Sequence, residues 1–484
     1  MTRILTHLAL TVATLAFALP AQAQDAPRAT TLDELAPPDA PPAAQIFAKT
    51  GDAVLDRLNA LEAEVNALKA RNQALEGKLG ATQARVETVE VRAAKEVEWS
   101  GGPSPTFNDP LGNFSLHPRG AIEADGSVFF SRKGGYDYSD GTQIRRARFG
   151  FDGVAFHDFP FRIEGEFVNN TASILDAYVS YTGFKHLTLL AGQVKVPFGL
   201  EPNTSDNFNT FTERGMFNNA FGAIGAERRI GFQAAYATEK FTATVSLNGE
   251  NESVSRVSTA PGEGYGFNGR VTYEPINADG KLVHLGAAGY WRTQLGSGGV
   301  KDATRLTERP NAREDGGLII DTGLIPSVAD AHYVGGEGAF SYGRFGVQSE
   351  GGRLTVSRFG ALSDLNYSGY YVFGSVFLTG ETRPLKNGVL DRLKPINNFD
   401  PKAGTYGAFE LAFRFDTLDA QDSPNAKNLG NRAESYTTAL NWYFNPNIKL
   451  LLDWVRFYGR YTPLAVVGHD AQGDALTARV HLDF

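Results

Sequence analysis

From Trp99 onward the chain is written in a two-residue period, and that period dictates sheet. Phe241, Ala243, Val245 and Leu247 alternate with Thr242, Thr244, Ser246 and Asn248. The same beat recurs at 161–167, 267–274, 408–416 and 435–444. It returns at the end of the chain, where Leu476, Ala478, Val480, Leu482 and Phe484 alternate with Thr477, Arg479, His481 and Asp483. Successive side chains of a strand point to opposite faces, so each segment has one apolar and one polar face. A soluble sandwich alternates too. Here, however, the runs are about ten residues long, enough to cross a bilayer when tilted. Their apolar faces also end in aromatics, as membrane-interface girdles do. An aromatic at position 484 suits a strand that closes a barrel with its ring at that girdle.

The connections are uneven. Asn445-Pro446-Asn447 and the segments 237–240 and 274–281 read as short turns, whereas 197–229, 296–332 and 380–404 are long. Unstructured loops of that length are foreign to a compact soluble domain. A membrane barrel alternates short periplasmic turns with long outer loops, so the three long segments are expected at the outer end. Residues 99–484, at about ten residues per strand plus loops, give roughly 14 to 18 antiparallel strands. A barrel that wide encloses an aqueous channel. The fold class is an all-β transmembrane barrel with an N-terminal α-helical coiled coil.

The N-terminal portion divides in three. Residues 1–23 read as a signal peptide, with Arg3 before an apolar run and Ala21-Gln22-Ala23 as a small-residue cleavage site. Residues 24–50, holding Pro37-Pro38 and Pro41-Pro42, read as a stiff linker. In 51–98 the period changes: Leu58, Leu61, Val65, Leu68, Asn72, Leu75, Leu79, Thr82, Val86 and Val89 keep strict 3-4 spacing. That is a heptad seam, and Asn72 occupies an a position, where a buried polar group fixes register. The seam predicts a self-associating coiled coil in the periplasm. Beyond the signal no apolar run is long enough for a membrane helix.

Zero cysteines exclude disulfides, thiolate catalysis and Cys-ligated metals. The eight histidines form no HExxH pattern, and no GxSxG elbow occurs, so neither an enzyme nor a metal or cofactor site is expected. His284 and His481 fall on polar faces and read as solvated lumen histidines. The distribution of arginine says more. Arg146, Arg148, Arg162, Arg270, Arg292, Arg414 and Arg479 all lie on polar strand faces and are expected in a water-filled lumen, since a charge facing lipid at mid-depth costs a few kcal/mol. A guanidinium there can line an anion path. Acids such as Glu164, Glu166, Glu410 and Asp483 share those faces, so cross-strand ion pairing is the structural alternative. The chain's net charge of −8 does not decide between them, because a constriction responds to local field. Segment 197–229 is the candidate constriction: Phe198, Phe208, Phe211, Phe217 and Phe221 make it too apolar for a solvated loop, and Lys195, Arg228 and Arg229 flank it.

A family resemblance gathers at these residues. Ile144-Arg145-Arg146-Ala147-Arg148, Leu175-Asp176-Ala177-Tyr178 and Gly192-Gln193-Val194-Lys195-Val196-Pro197-Phe198-Gly199 are followed by Glu227-Arg228-Arg229 and Gly269-Arg270-Val271. Then come Gly407-Ala408-Phe409-Glu410-Leu411-Ala412-Phe413-Arg414 and Ala439-Leu440-Asn441-Trp442-Tyr443-Phe444-Asn445-Pro446. In this order they resemble the phosphate-selective porins, the O/P type, over nearly all of 99–484. The resemblance implies a 16-stranded homotrimeric barrel in the outer membrane of a Gram-negative bacterium. It also implies an inward loop that narrows the pore and a ladder of basic residues that conducts phosphate or related anions. The residues placed on the anion path are Arg145, Arg146, Arg148, Arg162, Lys195, Arg228, Arg229, Arg270, Arg414 and Arg479. The expected function is passive, anion-preferring diffusion of small solutes, phosphate first. The alternatives are a general or sugar-passing porin and, in another class, a tether from the outer membrane to peptidoglycan through the coil.

Overall fold

The computed structural model describes residues 52–484 apart from short stretches at 94–96, 99–103, 110–111, 134–136, 252–262, 279, 294, 298, 423–431 and 461–470. The signal peptide and linker lie outside the described residues. The chain separates into two compact units with the boundary between Arg85 and Val86.

Helix α1 (Asp52–Ala93), which begins in the first unit and runs past its boundary, has 42 residues, about 63 Å at 1.5 Å per residue. Leu58, Leu61, Val65, Leu68, Leu75 and Leu79, the heptad seam, are all exposed on the single chain.

The second unit is a closed antiparallel barrel of 16 staves. In chain order they are β1 (Ser115–Lys133), β2 (Gly141–Ala155), β3 (Phe159–Glu166), β4 (Ser173–Phe184), β5 (Leu187–Lys195) and β6 (Arg228–Ala237). Next come β7 (Phe241–Asn248), β8 (Gly266–Ala278), β9 (Lys281–Thr293), β10 (Val328–Tyr342) and β11 (Phe345–Arg358). The wall is completed by β12 (Leu365–Phe377), β13 (Ala408–Asp419), β14 (Arg432–Tyr443), β15 (Ile448–Arg460) and β16 (Ala471–Asp483). β16 pairs with β1 from Ala475↔Phe129 to Asp483↔Ala121, which closes the wall. The backbones of Phe484 and Gly120 exchange two further hydrogen bonds of 2.9 and 3.0 Å. Position 120 favours glycine: a Cβ there would lie 2.8 Å from the backbone oxygen of Arg148 on β2 and 2.6 Å from the Phe484 ring.

The two-residue period sets inside and outside. On β16, Leu476 and Val480 are 43% and 56% exposed, whereas Thr477, Arg479 and His481, on the opposite face, are buried. Outward residues meet acyl chains and inward ones meet whatever fills the lumen.

Much of the lumen is filled by protein. Segment 196–227, between β5 and β6, turns inward through a short helical turn (Leu200–Asn203), a 3-10 turn (Asp206–Phe208) and helix α2 (Met216–Gly225). Its aromatics dock on the inner wall, Phe198 against Tyr333 at 4.7 Å and Tyr290 at 5.9 Å, and Phe217 against Tyr371 at 6.2 Å. Segment 294–327, between β9 and β10, follows it in and buries Leu306, Ile319, Ile320 and Ile325.

Segment 380–404 departs from expectation. Strand direction puts the β12–β13 connection at the end of the barrel that carries the short turns, beside 444–447, not with the long loops. Phe399 N donates to Phe444 O at 2.7 Å, and Arg392 Nη1 to Pro446 O at 2.7 Å. It too folds inward, with Leu390 N donating to Thr204 Oγ1 at 3.2 Å. Length alone does not say which end a connection occupies; the number of strands before it does. The 274–281 turn is also tighter than its sequence suggests, because β8 continues to Ala278 past an irregularity between Tyr273 and Ile276.

Candidate anion path

Between segment 196–227 and the inner faces of β1–β6 lies an open region lined by charged side chains. It consists of three adjoining chambers. The loop-end chamber is lined by Arg145, Arg146, Arg214, Arg309 and Arg313 against Glu213, Glu227 and Glu308. The middle chamber shares Arg145, Arg146, Arg214 and Glu227 with it and adds Arg148, Lys195 and Arg228 against Glu166 and Asp206. The turn-side chamber shares Arg148, Lys195, Arg228 and Asp206 and adds Arg119 and Arg162 against Glu164 and Asp176. Their volumes of about 360, 400 and 250 Å³ are each many times the ~10–15 Å³ that holds one water. In every chamber cations outnumber carboxylates, although the chain as a whole is acidic.

Two departures from strict alternation build this surface. Across β1 and β2 the register runs Glu123↔Arg146, then Ala124↔Ile144, leaving Arg145 unpaired in a bulge. A bulge re-aims a side chain, so consecutive Arg145 and Arg146 both face inward. On β5, alternation would put Lys195 on the lipid side with Leu189, which is 39% exposed. Gly192 breaks the beat with a φ of +131°, and a Cβ there would lie 2.2 Å from Ala177 O. Beyond it Lys195 turns into the path, opposite Arg228 in register.

The path's cations are anchored by one or two acids or, for Lys195, mainly by backbone carbonyls. Arg228 Nε lies 2.7 Å from Asp176, and Arg162 is 3.2 Å from Asp152. Arg119 bridges Asp152 at 2.8 Å and Glu164 at 3.0 Å. Arg148 spans Glu166 at 3.1 Å and Asp206 at 2.7 Å. Lys195 Nζ donates to Pro202 O and Thr204 O at 3.1 and 3.2 Å. A guanidinium carries five N–H donors, so one carboxylate leaves donors turned to water. Burial by itself would raise the pKa of Asp206, but Arg146, Arg214, Lys195 and Arg148 hold its carboxyl well below the usual range. It stays ionised and fixes these cations in place. Glu308, in the inward segment 294–327, is the opposite case: burial pushes it up to about 7 against the pull of Arg313.

The sequence-predicted residues therefore divide. Arg145, Arg146, Arg148, Arg162, Lys195 and Arg228 come together on the path. Arg229, Arg270, Arg414 and Arg479 do not line it, and neither does Arg292. Arg229 donates to Ile224 O at the C-terminus of α2 at 3.2 Å, as well as pairing with Glu250 at 2.5 Å. Arg270 is buried between Glu337, at 2.5 Å, and Gly388 O of the β12–β13 connection, at 2.6 Å. Arg292 pairs with Glu250 at 2.5 Å. Arg414 donates to Glu213 O at 2.9 Å and stacks over Phe211 at 4.4 Å. Arg479 pairs with Asp125 at 2.6 Å and donates to Thr212 O at 2.5 Å. The reason is the same throughout: inward segments cover that part of the wall, so its arginines meet carbonyls and carboxylates instead of water. The two histidines are corrected likewise. His284 is buried between Glu274 and Glu337, 2.9 Å from each, and His481 between Glu123 and Asp483.

Sequence reasoning missed Arg119, Arg214, Arg309 and Arg313. Arg119 stands at the turn end of β1, before clean alternation begins, and the other three belong to inward segments without periodicity.

A closed barrel with an apolar outer wall and a charged, water-accessible path inside is a channel of the outer-membrane porin class. Residues 118–484 match the model of the phosphate-selective porin O and P family, and the chain belongs to that family. Its relatives include a protein of Caulobacter vibrioides, 29% identical over 81% of this chain and 78% of that one. Another is Porin O of Pseudomonas aeruginosa, 26% identical over 77% of this chain and 89% of that one. Among solved structures, the anion-selective porin from Comamonas acidovorans aligns over 77% of this chain and 100% of its own, at 14% identity and a TM-score of 0.49.

Proposed function

We propose that the channel passes small anions passively down their gradient, with phosphate the leading solute. The observation that carries this reading is the surplus of fixed cations in all three adjoining chambers. Between low-dielectric walls, such a surplus focuses field and raises the local concentration of anions. Arg119, Arg148, Arg162, Lys195 and Arg228 would replace part of an anion's hydration in successive sites, each weak enough to release it. The forked guanidinium donors fit phosphate oxygens. Planar-bilayer recording tests this. In a KCl gradient the reversal potential should report anion preference, and millimolar phosphate should block the chloride current. Cation preference would overturn the reading; anion preference without phosphate block would leave a general anion porin.

We further propose that the working unit is a homotrimer whose α1 helices pair along the seam from Leu58 to Leu79, which is solvent-exposed on a single chain. Deleting 51–98 distinguishes the roles of the coil. Loss of trimers with normal single-barrel conductance would make it a clamp. Intact trimers with weakened attachment of the membrane to peptidoglycan would make it a tether.

A further inference from the structure

The outer face of the barrel holds a feature that conduction does not use. At the loop ends of β14 and β15, Arg432 and Arg460 are direct cross-strand partners. They share the outward face with Tyr436 and Trp454, which are 38% and 49% exposed, while the intervening Ala433, Phe457 and Val455 are buried. Like charges directly opposite each other on one face of a sheet repel. Nothing in the described chain relieves this pair fully. Arg432 reaches Glu434 at 3.4 Å, its Nε has no hydrogen-bond partner, and Arg460 makes no ion pair among the described residues.

Depth adds a second constraint. Tyr370, Phe415, Tyr436 and Tyr458 form a row across β12–β15, with successive ring centroids 5.8, 5.1 and 6.3 Å apart. Such a row sits at the membrane–water interface. Arg460 lies two residues beyond Tyr458, about 7 Å along the strand, which brings the arginine pair to headgroup level. Between the two arginines is a notch of about 440 Å³, also lined by Glu434, Tyr436, Tyr458 and Gln472. It is on the tall side of the wall: β14 and β15 have 12 and 13 residues, whereas β3 and β7 have 8. Eight falls below the ~9–11 residues a spanning strand needs, so the low side is the one suited to a neighbouring subunit and the notch is left facing lipid.

We propose that the notch binds the phosphorylated sugar headgroup of an outer-leaflet glycolipid. Arg432 and Arg460 clamp the phosphate with forked donors, which converts their repulsion into attraction. The Tyr436 and Tyr458 rings support the sugar and the roots of the acyl chains, and Gln472 and Glu434 meet sugar hydroxyls. The proposal rests on the outer-membrane reading, with the loop end facing the cell exterior.

The test uses purified full-length protein in detergent and a bisphosphorylated glucosamine-disaccharide lipid as probe, with native mass spectrometry to count bound lipid. Wild type should bind the probe, and R432Q/R460Q should bind it about tenfold more weakly, with unchanged single-channel conductance certifying the variant's fold. On wild type alone, the dephosphorylated lipid should bind equally poorly, and millimolar inorganic phosphate should not displace the probe. Equal binding by the double variant, equal binding of the dephosphorylated lipid, or displacement by free phosphate would each overturn the proposal. Conductance is measured separately, so failure here is distinct from failure of the channel reading.

Discussion

Arg162 and Arg228 on one side of the lumen, and Arg414 and Arg479 on the other, are the same residue type on the same inward strand face. The first two retain 29% and 19% side-chain exposure and line the path; the second two retain 0% and 4%. What separates them is segment 196–227. Its apolar rings pack toward β9–β12, and the adjoining β13–β16 wall feeds its backbone with partners. Met216 N donates to Asp416 at 2.7 Å and Thr212 N to Asp453 at 2.8 Å, while on β11 Glu350 accepts from Leu200 N and Glu201 N at 2.9 and 2.6 Å. Arg414, Arg479 and Lys449 supply the reciprocal bonds to its carbonyls. One half of the wall clamps the loop and the other leaves its arginines open to the candidate path, and the loop between them makes the division.

The clamp side should show the largest effect when broken. Arg479→Leu leaves the buried Asp125 without its cation, a loss of about 3–5 kcal/mol that denaturant unfolding in detergent will read. Conductance should rise as the loop loosens. Gly192→Ala tests how the conductor is built. At φ +131°, with Ala177 O in the way, it should cost about 1–3 kcal/mol and weaken anion selectivity by turning Lys195 off the path. Replacing Arg162 and Arg228 with Gln should weaken phosphate block roughly tenfold, the loss expected from one charge-assisted hydrogen bond, while moving the unfolding midpoint far less than Arg479→Leu. If the two pairs proved interchangeable in stability and selectivity, the comparison would fail.

The smallest effect concerns pH. Glu308, raised to about 7, takes up a proton as pH falls through that value, and the loop-end chamber then loses one negative charge. Anion preference, read from reversal potentials, should rise below pH 7 and fall above it. Glu308→Gln should abolish that dependence and fix the low-pH behaviour.

The barrel was legible because each stave states its own geometry. The alternation around Phe241–Asn248 or Leu476–Phe484 needs no knowledge of any neighbour. The inward fold of 197–229 was legible for a similar reason, since five phenylalanines in a loop demand cover. The path was legible only in part. Arg148 and Arg162 obey alternation and reach it. Arg145 and Lys195 reach it through a bulge and a glycine that redirect alternation. Arg270, Arg414 and Arg479 obey alternation and still meet no open water, and the inward placement of 380–404 at the turn end carried no local mark.

By itself, then, the sequence determined which side of each strand meets lipid, because a period of two is a property of the backbone. It also determined that the lumen is charged, because charge on the lipid face is too costly. Only the tertiary structure decided which of those charges meet open space in the lumen. Whether a guanidinium meets water or a carbonyl depends on segments hundreds of residues away in the chain, and no local pattern records where they come to rest.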